Sequence, residues 1–261
     1  MSLASRSAAR PTTRAPSTRE NRSGLTFDVA RTLADVLAAW TLVHDSYVRA
    51  RLIRVNAQHL HTVPLAVHSD TVVIIGREPE GEVVSTMSSY LDRPGGLPLD
   101  AVYADQLNGM RAQGRRLMEV GLFADRREKI TRAMAALMEL MRYTFFYAIH
   151  RDVSDIVIGV HPHHAGFYRR SLGFEDFADE AGCPSVNGNP MVPLRLNIPQ
   201  TYQGDDLPRG LAFFRANPLE VDAYRDRLEL TPETVAGTAI DAFLRRGERS
   251  AGSAISGTSS A

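Results

Sequence analysis

The chain has 261 residues, a formal net charge of zero and 44% apolar residues, which fits a globular protein and excludes a highly charged nucleic-acid binder. Its apolar runs are too short to cross a bilayer. The single cysteine, Cys183, excludes an intrachain disulfide and a Cys-rich zinc site, and fits a reducing, cytoplasmic setting.

Residues 1–24 carry five Arg, one Glu and many Ser, Thr and Ala. Without an apolar run they read as a disordered leader rather than a secretory signal. Residues 249–261 read as a flexible tail. Between these ends the pattern is α/β. Residues 27–30 form a short strand, and Thr32 with Asp35 caps a helix. The apolar stripe of that helix is Leu33, Val36, Leu37, Trp40, Val43 and Tyr47. Residues 55–70 are a loop with three histidines. On a strand His59 and His61 would share a face suited to a metal, but no third ligand is identifiable and none is expected. Residues 71–76 and 82–92 pair as a hairpin. Asp100 caps a helix to about 113, and residues 116–124 form the next strand. Residues 131–150 make the longest helix, whose Met134, Met138 and Met141 stripe packs a core and suits a variable apolar ligand. Residues 155–160 read as a buried strand, broken by Pro162. A helix follows to Leu172, closed by Gly173 at the position that favours φ > 0. Residues 191–198 are the last strand. Residues 200–248 form a C-terminal helical extension with helices at 211–216, 219–227 and 232–246, the last capped by Thr231 with Pro232 behind it.

Alternation over 116–124 puts Leu117, Glu119, Gly121 and Phe123 on one face of a central strand. A carboxylate there is costly unless it is paired or functional. Either Arg115 or Arg169 neutralises Glu119, or burial raises its pKa and makes it a general base. Gly121 leaves room for a substrate to reach the strand.

The strand, the His161–Pro162 break, the Phe167–Tyr168 helix and the Gly173–Phe174 exit resemble the acyl-binding end of GNAT-type acyltransferases. Their common form is Asn-Pro-x-Ala-x-x-Phe-Tyr-x-x-Leu-Gly-Phe. Here His161 replaces the Asn, His164 replaces the Ala, and one extra residue precedes Leu172. The strand with Glu119, Leu122, Phe123 and Ala124 is similar to that of acyl-homoserine-lactone synthases. Asp92, Gly96, Leu97, Pro98, Asp100, Arg111, Gly114 and Arg115 ahead of Glu119, with His161, Pro162, His164, Phe167 and Tyr168, resemble the N-acyl amino acid synthases. That resemblance runs from about residue 30 to 198.

The resemblance implies a GNAT-like mixed β-sheet flanked by helices. It also implies transfer of a long fatty acyl chain from an acyl carrier protein to the α-amine of an amino acid. No bound cofactor is expected, the donor being an acyl-phosphopantetheine thioester. Glu119 is the candidate base and His164 a second one. By the superfamily pattern Tyr168 serves the thiolate leaving group, and a strand N–H near Gly121 or Leu122 meets the oxyanion. Gly121, Leu122, Phe123, Met134, Met138 and Phe167 would hold the acyl-pantetheine arm. Residues 125–131 lack the Gly-rich pyrophosphate cradle usual with coenzyme A. Arg126, Arg127, Lys129 and Arg132 would then meet a single phosphate and an acidic carrier protein, or only solvate a helix start. Leu122 stands where lactone synthases carry Arg, which argues against S-adenosylmethionine as acceptor. The alternatives are a lactone-synthase-like or coenzyme-A-dependent acyltransferase, a non-catalytic carrier- or lipid-binding module, and a histidine-based metal hydrolase. Neither nucleic acid nor a membrane is expected as a partner.

Overall fold

The computed structural model describes residues 23–127 and 130–246. Most of the leader, Lys129 and the tail expected at 249–261 lie outside the described residues. The strands are β1 (Thr26–Val29), β2 (Val72–Arg77), β3 (Val83–Leu91), β4 (Leu117–Asp125), β5 (Asp155–Val160), β6 (Glu175–Asp176), β7 (Ala181–Cys183) and β8 (Asn189–Asn197). They form one eight-stranded sheet ordered β1-β2-β3-β4-β5-β8-β6, with β7 paired to β8. Only β4 and β5 run parallel, because the long helix α3 (Ile130–His150) crosses over between them. The mixed sheet flanked by helices is the architecture expected from the sequence.

Each face of the sheet carries its own core, since alternate residues of a strand point opposite ways. Ile74, Met87, Met118, Val120, Ile156 and Ile158 face α3 and α4 (Pro162–Leu172). Val73, Ile75, Tyr90, Leu117 and Val157 face α1 (Leu33–Arg49) and α2 (Asp100–Ala112). The start of α1 is the expected capping box. Asp35 N–H donates to Thr32 Oγ1 at 3.2 Å and Thr32 N–H to Asp35 Oδ2 at 3.1 Å. In α4, His161 Nδ1 accepts the His163 N–H at 3.3 Å, which is the capping work of the Asn it replaces. Gly173 closes α4 at φ +74°, its N–H turned to the Tyr168 and Arg169 carbonyls.

Two features of β4 were hidden in its sequence. Val120 is the last β4 residue paired with β5, opposite Ile158; beyond it the two strands part. Just there β4 carries a bulge, with Ser88 opposite Gly121 and Thr86 opposite Ala124. Leu122 sits in it at φ +51°. The extra residue resets the alternation. Leu122 and Ala124 therefore join the core of Leu117, while Phe123 turns to the α3 side. The expected common face of Glu119 and Phe123 is corrected accordingly.

Asp100 is the first residue of α2 rather than its cap, although its carboxylate does reach back to Leu97 N–H at 2.6 Å. After β8 come α5 (Ile198–Tyr202), α6 (Arg209–Ala216) and α7 (Pro232–Val235). The helix expected at 219–227 is only a 3-10 turn, Val221–Tyr224. The helix expected at 232–246 breaks at Gly237, at φ +72°, and resumes at 239. This C-terminal stretch enters both cores, Leu211, Phe214 and Tyr224 on one side and Leu230, Val235 and Ile240 on the other. Among the described residues no helix is long and apolar enough to cross a membrane.

Candidate functional site

Glu119 lies in β4 one step before the strands part, and only 6% of it is exposed. Neither arginine proposed to neutralise it does so. Arg115 pairs with the buried Asp155, and Arg169 pairs with Asp176. Its hydrogen-bond donor among the described residues is the backbone N–H of Leu99, 2.8 Å from Oε2. Burial pushes the carboxyl up to about 8; the Leu99 N–H pulls the other way, and Asp100 adds to the rise. A carboxyl held there exchanges a proton near neutrality, as acid–base work demands.

The loop that delivers Leu99 is held by Asp92, Gly96, Asp100 and Arg111. Arg111 spans Asp92 and Asp100 with four hydrogen bonds of 2.7–2.9 Å. Gly96 makes the loop possible: it sits at φ +78°, and a Cβ there would lie 2.6 Å from Asp100 Oδ2. Thus Asp92, Gly96, Asp100 and Arg111 fold a loop, and the loop presents one N–H to the strand carboxylate.

One tyrosine borders the carboxylate, and two more lie near that tyrosine or near each other. Tyr90 is directly opposite Glu119 in the β3–β4 ladder. Its hydroxyl is buried without a hydrogen bond among the described residues, and burial, then the Glu119 charge, holds its pKa well above the usual phenol range. Ser88 Oγ is near enough to temper that rise, yet it lies outside hydrogen-bond geometry and instead accepts Trp40 Nε1–H at 3.3 Å. Burial likewise raises Tyr47, at the end of α1, to about 12, and its ring stands 5.2 Å from that of His61. Burial raises the Tyr168 phenol too, with a further contribution from Tyr47. Tyr168 packs with the α3–α4 core, yet it senses Tyr47 on the opposite face.

The other expected site residues fall into groups. Phe123, Met134, Met138 and Phe167 are half-buried against the α3–α4 core, on the opposite face from Glu119. Gly121 borders the bulge and Leu122 lies in it, between these two environments. His164 is exposed at the first turn of α4, and its ring neighbours are His161 and His163. Partial burial, then those two rings, lowers its pKa. Among the cations, Arg127 is turned inward: 10% exposed, it grips Asp125 at 2.7 Å and the carbonyls of Ser23 and Arg132. It is therefore a clamp at the end of β4, unavailable for docking. Arg126 pairs with Glu82 at the surface, and Arg132 is exposed; Lys129 is outside the described residues. His59 and His61 do not share a face. His61 is buried, its pKa lowered to about 4 by burial and then by His44. His59 is exposed at φ +47° and lies with His44 and Asp45, ligand atoms within 4.8 Å.

Sequence reading missed Tyr90 and the Leu99 N–H as neighbours of Glu119. Tyr90 had a usable signal, being the one large ring in a strand of small polar residues. The Leu99 N–H had none, because a backbone donor leaves no mark in composition.

Compared with known families, residues 38–197 match the N-acyl amino acid synthase FeeM, more than half of the chain. The solved structure of FeeM, an N-acyl amino acid synthase from uncultured soil microbes, is 23% identical, with a TM-score of 0.60 over 67% of this chain and 91% of that one. TofI, solved in a ternary complex with an inhibitor and MTA, is 17% identical, with a TM-score of 0.53 over 71% and 99%. BjaI, a CoA-dependent acyl-homoserine lactone synthase, is 14% identical, with a TM-score of 0.53 over 78% and 99%. A search of curated proteins by sequence gives no match. The structural likenesses establish the shared fold, and the family match goes further: the chain belongs to the FeeM-type N-acyl amino acid synthase family and is an acyltransferase.

Proposed function

We propose that this N-acyltransferase moves a long-chain fatty acyl group from an acyl carrier protein thioester to the α-amine of an amino acid. The observation that carries the reading is Glu119, a desolvated carboxyl with no cationic partner among the described residues, beside a glycine and a bulge where β4 and β5 part. Glu119 accepts a proton from the amine, whose nitrogen attacks the thioester carbonyl. The C–N bond forms, the C–S bond breaks, and the thiolate leaves. Tyr168, its phenol kept protonated by burial, supplies the hydrogen bond or proton that the thiolate needs. Backbone N–H groups at the Gly121–Leu122 bulge are the candidate oxyanion donors. Leu122, Phe123, Met134, Met138 and Phe167 are assigned to the acyl-pantetheine arm. His164 is kept as an alternative base.

A carrier protein is favoured over coenzyme A because residues 125–131 contain no glycine for a pyrophosphate cradle. Arg126 and Arg132 are the candidate contacts for the carrier's acidic face. The lone cysteine supports a cytoplasmic setting.

The test is to incubate the protein with palmitoyl-carrier protein or palmitoyl-CoA and pooled amino acids, with mass spectrometry for new amides. We expect an N-acyl amino acid from the carrier-protein donor, lost in Glu119→Gln. Amide only from palmitoyl-CoA would overturn the donor assignment. Absence of any amide, with carrier protein still bound, would leave a non-catalytic binding module.

A further inference from the structure

The hydroxyl of Tyr90 stands out among the polar groups on the α1 side of the sheet. Tyr90 is 2% exposed, and its oxygen has no hydrogen-bond partner among the described residues. Interiors seldom keep such a group without a reason, and packing alone does not supply one, since phenylalanine would fill the same volume. Its surroundings do. Tyr90 and Glu119 are cross-strand partners on one face of an antiparallel pair, an arrangement that sets their Cβ atoms about 4.5–5.5 Å apart. The Tyr90 ring also borders the space over Gly121, where a Cβ would lie 3.8 Å from its Cε2. Ser88, opposite Gly121, accepts Trp40 Nε1–H through its Oγ and lies near the Tyr90 hydroxyl outside hydrogen-bond geometry. A carboxyl with a single backbone donor and a phenol with no partner therefore share one face, beside the room a glycine leaves.

We infer that Tyr90 is a substrate contact that holds the acceptor amine against Glu119. The inference rests on the N-acyltransferase reading above. A primary amine has two N–H bonds and one lone pair, and it reacts only when the lone pair faces the thioester carbonyl. Glu119 takes one N–H and the Tyr90 oxygen takes the other, so the lone pair has one direction left. The phenol's own proton is then free for an oxygen of the acceptor, such as the carboxylate of an amino acid.

Tyr90→Phe in the full chain removes only the hydroxyl. We expect a melting temperature equal to or above that of the parent, because an unpaired buried group is lost. The acceptor KM should rise about tenfold, the scale of one hydrogen bond, with the donor KM unchanged. Trp40 is the chain's single tryptophan, so its fluorescence should also follow acceptor binding without turnover, at higher concentrations in the variant. An acceptor KM within twofold of the parent's, or a loss confined to the donor KM, would overturn the assignment while leaving the acyltransferase reading intact. A parent that makes no amide with any donor would defeat that reading. In that case a parent whose Trp40 fluorescence ignores added amino acids would overturn the Tyr90 contact as well.

Discussion

The backbone N–H of Leu99 donates to Oε2 of Glu119 at 2.8 Å, so among the described residues the carboxylate of β4 is held by a loop and not by a charged partner. With burial raising its pKa to about 8, Glu119 acts as a base only when deprotonated. We therefore expect kcat/KM to climb with pH, with a midpoint near 8, and Glu119→Gln to lose about 10²–10⁴-fold. A flat profile between pH 6 and about 9 would reject Glu119 as the base.

The same shift has the opposite consequence for stability. Folding raises the pKa from 4.5 to about 8, so the native state binds the proton more tightly than the unfolded chain does. This contribution is fully present below 4.5 and lost as pH rises through about 8. Glu119→Gln, which stays neutral, should match the parent at low pH and become more stable by up to a few kcal/mol above the folded pKa. Urea titrations at pH 5 and about 9 measure the difference. An equal gap at both pH values would contradict a buried, proton-binding carboxyl.

Arg111→Ala removes the fork that joins Asp92 to Asp100. The two carboxylates, 13% and 22% exposed, would lose their cation, at a cost of about 1–3 kcal/mol. The loop should loosen and weaken the Leu99 contact. Because that N–H lowers the Glu119 pKa, the acid limb of the pH–rate profile should move upward. A fall in melting temperature with no movement of the limb would show that Leu99 stays in place without the fork.

Tyr168→Phe should lower kcat with an alkyl thioester by about 10²-fold. An aryl thioester, whose thiolate leaves unaided, should recover most of that loss. Equal losses with both donors would remove Tyr168 from the leaving-group step.

Two glycines make a paired stability test. A Cβ on Gly210 would lie 2.6 Å from Leu172 Cδ2 and 2.6 Å from the Ser171 carbonyl, so Gly210→Ala should push α6 off α4 and cost about 1–3 kcal/mol. Gly109, inside α2, has nothing within 4 Å of such an atom, and Gly109→Ala should add about 0.5–1 kcal/mol through helix propensity. Denaturant midpoints for both variants check the contrast.

Periodicity and breakers located the central elements well. The Thr32–Asp35 cap, the Met-rich helix, and the break at Pro162 with the exit at Gly173 all depend on neighbours within four residues, which sequence displays. The bulge at Leu122 was illegible because alternation carries no sign of a local change in φ, and that change moved Phe123 away from Glu119. The fate of Arg127 was hidden for a related reason: a run of basic residues looks solvated until the fold brings Asp125, Ser23 and Arg132 around one guanidinium. The 3-10 turn at Val221–Tyr224 follows Pro218 and takes its place through Tyr224, whose hydroxyl donates to the Tyr143 carbonyl at 2.6 Å. That tertiary contact overrode the local pattern.

The late segment also sets when this molecule finishes folding. The last strand ends at Asn197, yet Leu211, Phe214 and Tyr224 close one core and Leu230, Val235 and Ile240 close the other. Because synthesis runs from the N-terminus, every strand and the helices α1–α4 leave the ribosome before the C-terminal residues complete either core. A nascent chain stalled at residue 200 should thus remain sensitive to protease and bind chaperones, with resistance arriving in one step as residues 211–240 emerge. Resistance already present at residue 200 would refute this order. Commitment to the native state then waits for residues 211–240, after all the catalytic candidates have been made.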